Sequence, residues 1–261
     1  MQSTDVVILV DDIKLSETFA VKKDITINLN GHNFDASTNK SRPFNVENGK
    51  LTIVGGNSTI KVGAYGLVNI PVGSDAEIVL EGGIYEGNTD NGALLKPRGE
   101  GKINITLKNV KYNDKSNNGY VLHLGEYKGE QFVIKVEGGE FVAGGGFHLT
   151  SGSSIKNTTI KNTNPSQLWN AVEFTGNATI ENSTILSEGY AITTGFGAIA
   201  TVKNCVVNGG TYAYCVYPTG GTINVTGGSY VGQLYIYDLY TNAAPAKIVI
   251  DNDTKVEKNK N

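Results

Sequence analysis

One six-residue pattern, apolar–x–[Gly/Asn]–x–x–apolar, recurs ten times along this chain of 261 residues, and nothing else in the sequence restricts the fold as strongly. Its anchors are Leu29, Ile53, Leu80, Leu107, Val136, Ile155, Ile180, Val202, Val225 and Ile250. Two positions after them come Gly31, Gly55, Gly82, Asn109, Gly138, Asn157, Asn182, Asn204, Gly227 and Asn252. Gly and Asn enter the left-handed backbone region at least cost, so each marks a sharp corner between two short strands. Five positions after the anchor the residue is apolar in eight of the ten copies, with Ser58 and Lys255 breaking the column. The corner turns the chain so that a residue such as Phe34 points back into the same core as Leu29.

The anchors lie about 25 residues apart on average, and a fixed period of roughly 20–50 residues signals a solenoid. Strands with left-handed corners, and almost no apolar spacing of helical type, make it an all-β one. Parallel connections are right-handed, so the expected fold is a single-stranded, right-handed parallel β-helix of about ten coils stacked ~4.8 Å apart. Glycine, at 33 residues, agrees: it stands well above its usual share of about 7%. Each period also holds a second strand, centred on Val46, Ile70, Leu95, Leu124, Leu149, Phe174, Ile192, Val216 and Ile236. Loops such as 35–43, 86–92, 113–119 and 161–169 vary between coils. The expected organisation is one domain over 1–261: an N-terminal cap at 1–24, coils over 25–250 and a charged tail at 251–261.

Charge and hydropathy narrow the function classes. The net charge is −3 and only two arginines occur, Arg42 and Arg98, so no cationic stripe suits nucleic acid. No apolar run approaches the ~18 residues of a membrane span. "VVILV" at 6–10 is too short, and it lacks the basic flank and cleavage site of a signal peptide. Cys205 and Cys215 have neither a disulfide framework nor metal-ligand spacing, leaving idle thiols or one bridge as alternatives. No cofactor is expected.

The stretch "VVILVDDIKLSETFAVKKDITINLNGHNFDAS", followed by "FNVENGKLTIVGG", resembles the N-terminal coils of bacterial secreted and cell-surface right-handed β-helix proteins. More broadly the chain is similar to the pectin-lyase-like superfamily over essentially its whole length. That resemblance implies an extracellular or cell-envelope location. It spans polysaccharide lyases, glycoside hydrolases, tailspike-like binders and adhesins, so it implies no single activity. The chain departs from the enzymatic members: the second-strand face carries neither the clustered Asp nor the Arg of pectate lyases. The adjacent pair Asp11–Asp12 lies in the expected cap.

Residues flanking a second-strand centre point outward. One outward column reads Asn45, Asn69, Leu94, His123, His148, Glu173, Ala191, Cys215 and Tyr235. The other reads Glu47, Pro71, Lys96, Gly125, Thr150, Thr175, Thr193, Tyr217 and Tyr237. His123, His148 and Glu173 thus fall on successive coils, as a divalent-metal or acid–base site or as a hydrogen-bonded polar ladder. Tyr217, Tyr235 and Tyr237 share that face, and Trp169 ends the loop leading to Glu173. Exposed rings there suit the apolar faces of sugars, while packing under a loop is the competing reading. Three functions remain open. The first is a non-catalytic surface protein presenting an elongated face to a polysaccharide, surface glycan or protein. The second is a polysaccharide-degrading enzyme working at His123, His148 and Glu173. The third is a structural spacer in a larger surface protein.

Overall fold

A computed structural model describes residues 5–89, 92–98, 100–123, 132–166 and 169–257; Leu124 and Gly125 of the expected columns lie outside the described residues. The described residues form strands and no helix, and their strand pairs are parallel, giving a parallel β-solenoid of about nine turns. Two compact units can be separated, Met1–Phe132 with Gly138–Ala143 and Val133–Glu137 with Gly144–Asn261.

Eight of the ten expected corner residues have positive φ, from Gly31 at 86° to Gly227 at 65°. Gly55 is an exception with its own reason for being glycine. A Cβ there would stand 2.7 Å from the Gly83 Cα on the next rung, closer than real side-chain atoms come.

In the first unit the strand register stacks Ile27 on Ile53, Leu80 and Leu107. The first anchor is therefore Ile27, two residues before Leu29; both face inward because strand side chains alternate with period two. After the corner, Phe34 stacks on Ile60, Tyr85 and Tyr112. Ser58 is not in that column at all. Irregularities after Val54 and after Gly56 add two residues to its corner, and Ile60 takes the inward place. On the second strands Val68 stacks on Leu95 and Ile70 on Pro97. Outside, Lys14, Asp35, Lys61 and Glu86 alternate in sign down the stack, so no like charges face each other.

Residues 5–21, within the expected cap, form a rung of their own. Asp5–Ile8 pairs with Ile25–Asn28, Ile13–Lys14 with Phe34–Asp35, and Phe19–Val21 with Phe44–Val46. Among the described residues these strands have a neighbour on one side, and Val7 and Phe19 stay 42% and 46% exposed.

Two tyrosines of one inward column differ sharply. The Tyr112 hydroxyl donates to Asp114 Oδ2 at 2.7 Å. The Tyr85 hydroxyl, on a fully buried side chain, has no hydrogen-bond partner among the described residues. An unmet buried hydroxyl costs about 1–3 kcal/mol, whereas a made bond contributes about 1. Tyr85→Phe is therefore expected to hold or raise stability and Tyr112→Phe to lower it by about 1 kcal/mol, read from urea unfolding midpoints.

In the second unit Val136, Ile155, Ile180, Val202, Val225 and Ile250 stack in one column, as the spacing predicts. Beyond the corner, Ile160, Ile185, Val207, Tyr230 and Val256 form the companion column. Val256 holds the place expected for Lys255. The extra residue accompanies Asp251, whose carboxylate accepts from Thr254 Oγ1 at 2.6 Å and from the Gly227 amide at 3.1 Å. Those bonds hold its carboxyl below the usual carboxylate range. Cys205 and Cys215 are both free and buried, with burial pushing the thiols up to about 11 and about 12.

Candidate functional site

The second strands of the second unit stack Leu149, Phe174, Thr194, Val216 and Ile236 inward. The outward column beside them is His148, Glu173, Thr193, Cys215 and Tyr235. Thr193 replaces the expected Ala191, because the strand centre is Thr194 and not Ile192. Tyr217 and Tyr237 follow on the other flank.

A chain of polar contacts crosses this face. His148 Nε2 stands 3.6 Å from Glu173 Oε2, beyond hydrogen-bond length. Asn170 Nδ2 donates to the same Oε2 at 3.2 Å and to the Tyr217 hydroxyl at 2.9 Å. Burial pushes the His148 imidazole down to about 4, so it is neutral at pH 7. Burial also pushes the Glu173 carboxyl up, against the opposing pull of the Asn170 bond. The Tyr217 hydroxyl is raised by burial and by the Glu173 charge.

Tyrosines continue the face. Tyr212 and Tyr235 stack with centroids 4.9 Å apart and planes 10° from parallel. Tyr237 meets Tyr235 edge-on at 4.6 Å and Tyr217 at 6.1 Å. The Tyr190 and Tyr237 hydroxyls are 2.8 Å apart. Tyr212 and Tyr235 thus turn ring faces toward each other, while Tyr235 keeps 38% of its surface exposed and Tyr237 is half-buried.

The structure therefore brings together His148, Glu173, Tyr217, Tyr235 and Tyr237. His123 belongs to the first unit, where its ring packs edge-on against Tyr120 at 4.7 Å. Trp169 is half-buried; its amide donates to the Ser166 carbonyl and its own carbonyl accepts from Asn162 Nδ2 at 2.6 Å. Sequence reasoning missed Asn170, Tyr190 and Tyr212 as members of this face. Strict alternation does not place Asn170 beside Glu173, three residues away; the hydrogen bond between them shows the contact.

A corresponding slip alters the first unit. Since Pro97 stacks on Ile70, its flanks are Lys96 and Arg98, not the expected Leu94 and Lys96. The expectation that no arginine borders the second-strand face is corrected there by Arg98.

Chemically, the second-unit face holds one carboxylate in its two outward columns. Glycoside hydrolysis by the usual route takes two, about 5–10 Å apart. Among the described residues no group of three His, Cys, Asp or Glu side chains is arranged to hold a metal ion. The cluster is a run of polar contacts, hydrogen-bonded from Glu173 through Asn170 to Tyr217, beside partly open rings. No family model, curated protein or solved structure matches the chain.

Proposed function

We propose that the chain is a non-catalytic secreted or cell-surface β-solenoid whose second unit presents a tyrosine face to a glycan. One observation carries the reading: Tyr217, Tyr235 and Tyr237 form a contiguous, partly exposed group of rings and hydroxyls beside Glu173 and Asn170. Such a surface offers apolar ring area with polar anchors at fixed positions, as sugar rings require. The charged outer positions of the leading strands are poorer candidates, because they are already satisfied by one another. Glu137, Lys156, Glu181 and Lys203 alternate in sign, with Lys156 and Glu181 3.2 Å apart. The resemblance to secreted β-helix proteins agrees with a surface role.

Glycan-array screening is expected to give binding without turnover. Tyr235→Ala, which removes the most exposed ring of the group, should weaken it about tenfold. Undiminished binding by that variant would place the contact elsewhere. The second reading, a polysaccharide-degrading enzyme, is favoured by one feature, the raised Glu173 carboxyl, which suits a general acid. Release of reducing ends or unsaturated sugars, abolished in Glu173→Gln, would replace the first reading with the second.

A further inference from the structure

The first unit contains a buried cation with no counter-charge among the described residues. Arg42 is 6% exposed, and its Nε is buried without a hydrogen-bond partner among the described residues. Six lysines, at 22, 23, 50, 61, 108 and 156, each reach a carboxylate within 4.0 Å. Arg42, Lys96 and Arg98 reach none among the described residues; burial and Arg98 push the Arg42 guanidinium down to about 10, and burial, Arg42 and Arg98 lower Lys96. The carboxylate on the same flank, Glu47, is occupied by Lys22 at 3.4 Å and by Asn45 Nδ2 at 3.2 Å.

An isolated ionised group taken out of water costs several kcal/mol unless it is paired, and like charges beside it add to that cost. The register nevertheless puts Lys96 in one column with Asn69 and Asn45, three residues after Arg42, and Arg98 two residues further on. Strand register sets half-buried Lys96 beside Asn69, and the Arg98 amide donates to the Ile70 carbonyl, which seats exposed Arg98 just beyond Pro97. The Tyr65 ring lies 5.9 Å from the Arg42 guanidinium carbon. A ring takes the face of a guanidinium and leaves its N–H edge free, the edge that grips two oxygens of one anion. Asn39 Nδ2, three residues before Arg42, is a second buried donor with no partner among the described residues.

We infer that Arg42, Lys96 and Arg98 form a binding site for an oxyanion, a carboxylate, sulfate or phosphate group. Arg42 is its buried member, Lys96 its half-buried one and Arg98 its exposed one. The site is in the first unit and does not depend on the tyrosine face of the second.

Isothermal titration of the whole chain with sodium sulfate and sodium phosphate, ionic strength held constant with sodium chloride, tests it. Saturable binding is expected, weaker by about tenfold in Arg98→Ala and further in Arg98→Ala/Lys96→Ala, the range of a lost charge-assisted hydrogen bond. Both substitutions fall outside the fully buried core, and circular dichroism should show the fold unchanged. No saturable heat with the natural chain, or equal affinity in both variants, would overturn the site. A second arm compares a uronate or sulfated polysaccharide with the free anions. Tighter binding per anionic group by the polymer assigns the oxyanion to a glycan chain. Equal or weaker binding assigns it to a free anion.

Discussion

Asp114→Ala is expected to lower the unfolding free energy by about 3–5 kcal/mol, read as a drop in urea midpoint at unchanged slope. Its carboxylate, on a residue 4% exposed, accepts from the Tyr112 hydroxyl at 2.7 Å, the Ser116 amide at 2.8 Å and the Thr89 amide at 3.2 Å. The Thr89 hydroxyl donates to it as well. Truncation strands these donors, of which those of Thr89 and Tyr112 are buried, and each unmet buried donor costs about 1–3 kcal/mol, less than additively. The contact is tight enough to exclude side chains from two neighbours. A Cβ on Gly119 would overlap Asp114 Oδ2, and one on Gly87 would stand 2.9 Å from the Tyr112 hydroxyl.

Asp114→Asn separates charge and shape. It keeps the volume but turns one acceptor oxygen into an NH2 group facing donors, so its loss should lie between wild type and Asp114→Ala. A loss below 1 kcal/mol in the alanine variant would mean that the network is incidental. The bonds join segments 86–92 and 113–119, which sequence spacing shows only as variable loops. Thr89 and Asp114 nevertheless lie 25 residues apart, close to one coil period, and that interval was the available signal.

The repeat was legible because burial demands it. Every coil needs inward apolar residues at corresponding places, and a corner needs a residue that tolerates positive φ. On the second strands the reading slipped at Leu95 and Ile192, each time by two residues, since both lie on the inward side and are apolar. A slip of two keeps side chains on their own face, whereas a slip of one would invert it. That is why Glu173 and His148 remained a correct pair while Ala191 had to give way to Thr193. Arg42, Lys96 and Arg98 were not legible as a group. Their meeting depends on how the segment before Phe44 seats against later rungs, which no periodicity encodes. Asn170 and Tyr190 were hidden because they are the first residues of their strands and reach the face through side-chain hydrogen bonds, which alternation does not encode.

Corner length is the remaining ambiguity, and it separates two neighbouring residues in energy. Spacing alone puts Ser58 in the inward column; the register puts Ile60 there, between Phe34 and Tyr85, with 1% of its surface exposed. Ile60→Ala removes buried methylene and methyl groups from a stack that adjoining rungs hold in place, so the cavity closes only in part. The expected loss is about 2–5 kcal/mol in urea unfolding. Ser58→Ala should be neutral or stabilising by up to about 1 kcal/mol, because its buried hydroxyl has no partner among the described residues. The two variants together measure the register itself. A coil with a short corner would make position 58 sensitive and position 60 tolerant, and finding that order would shift every outward residue of the strand after the corner.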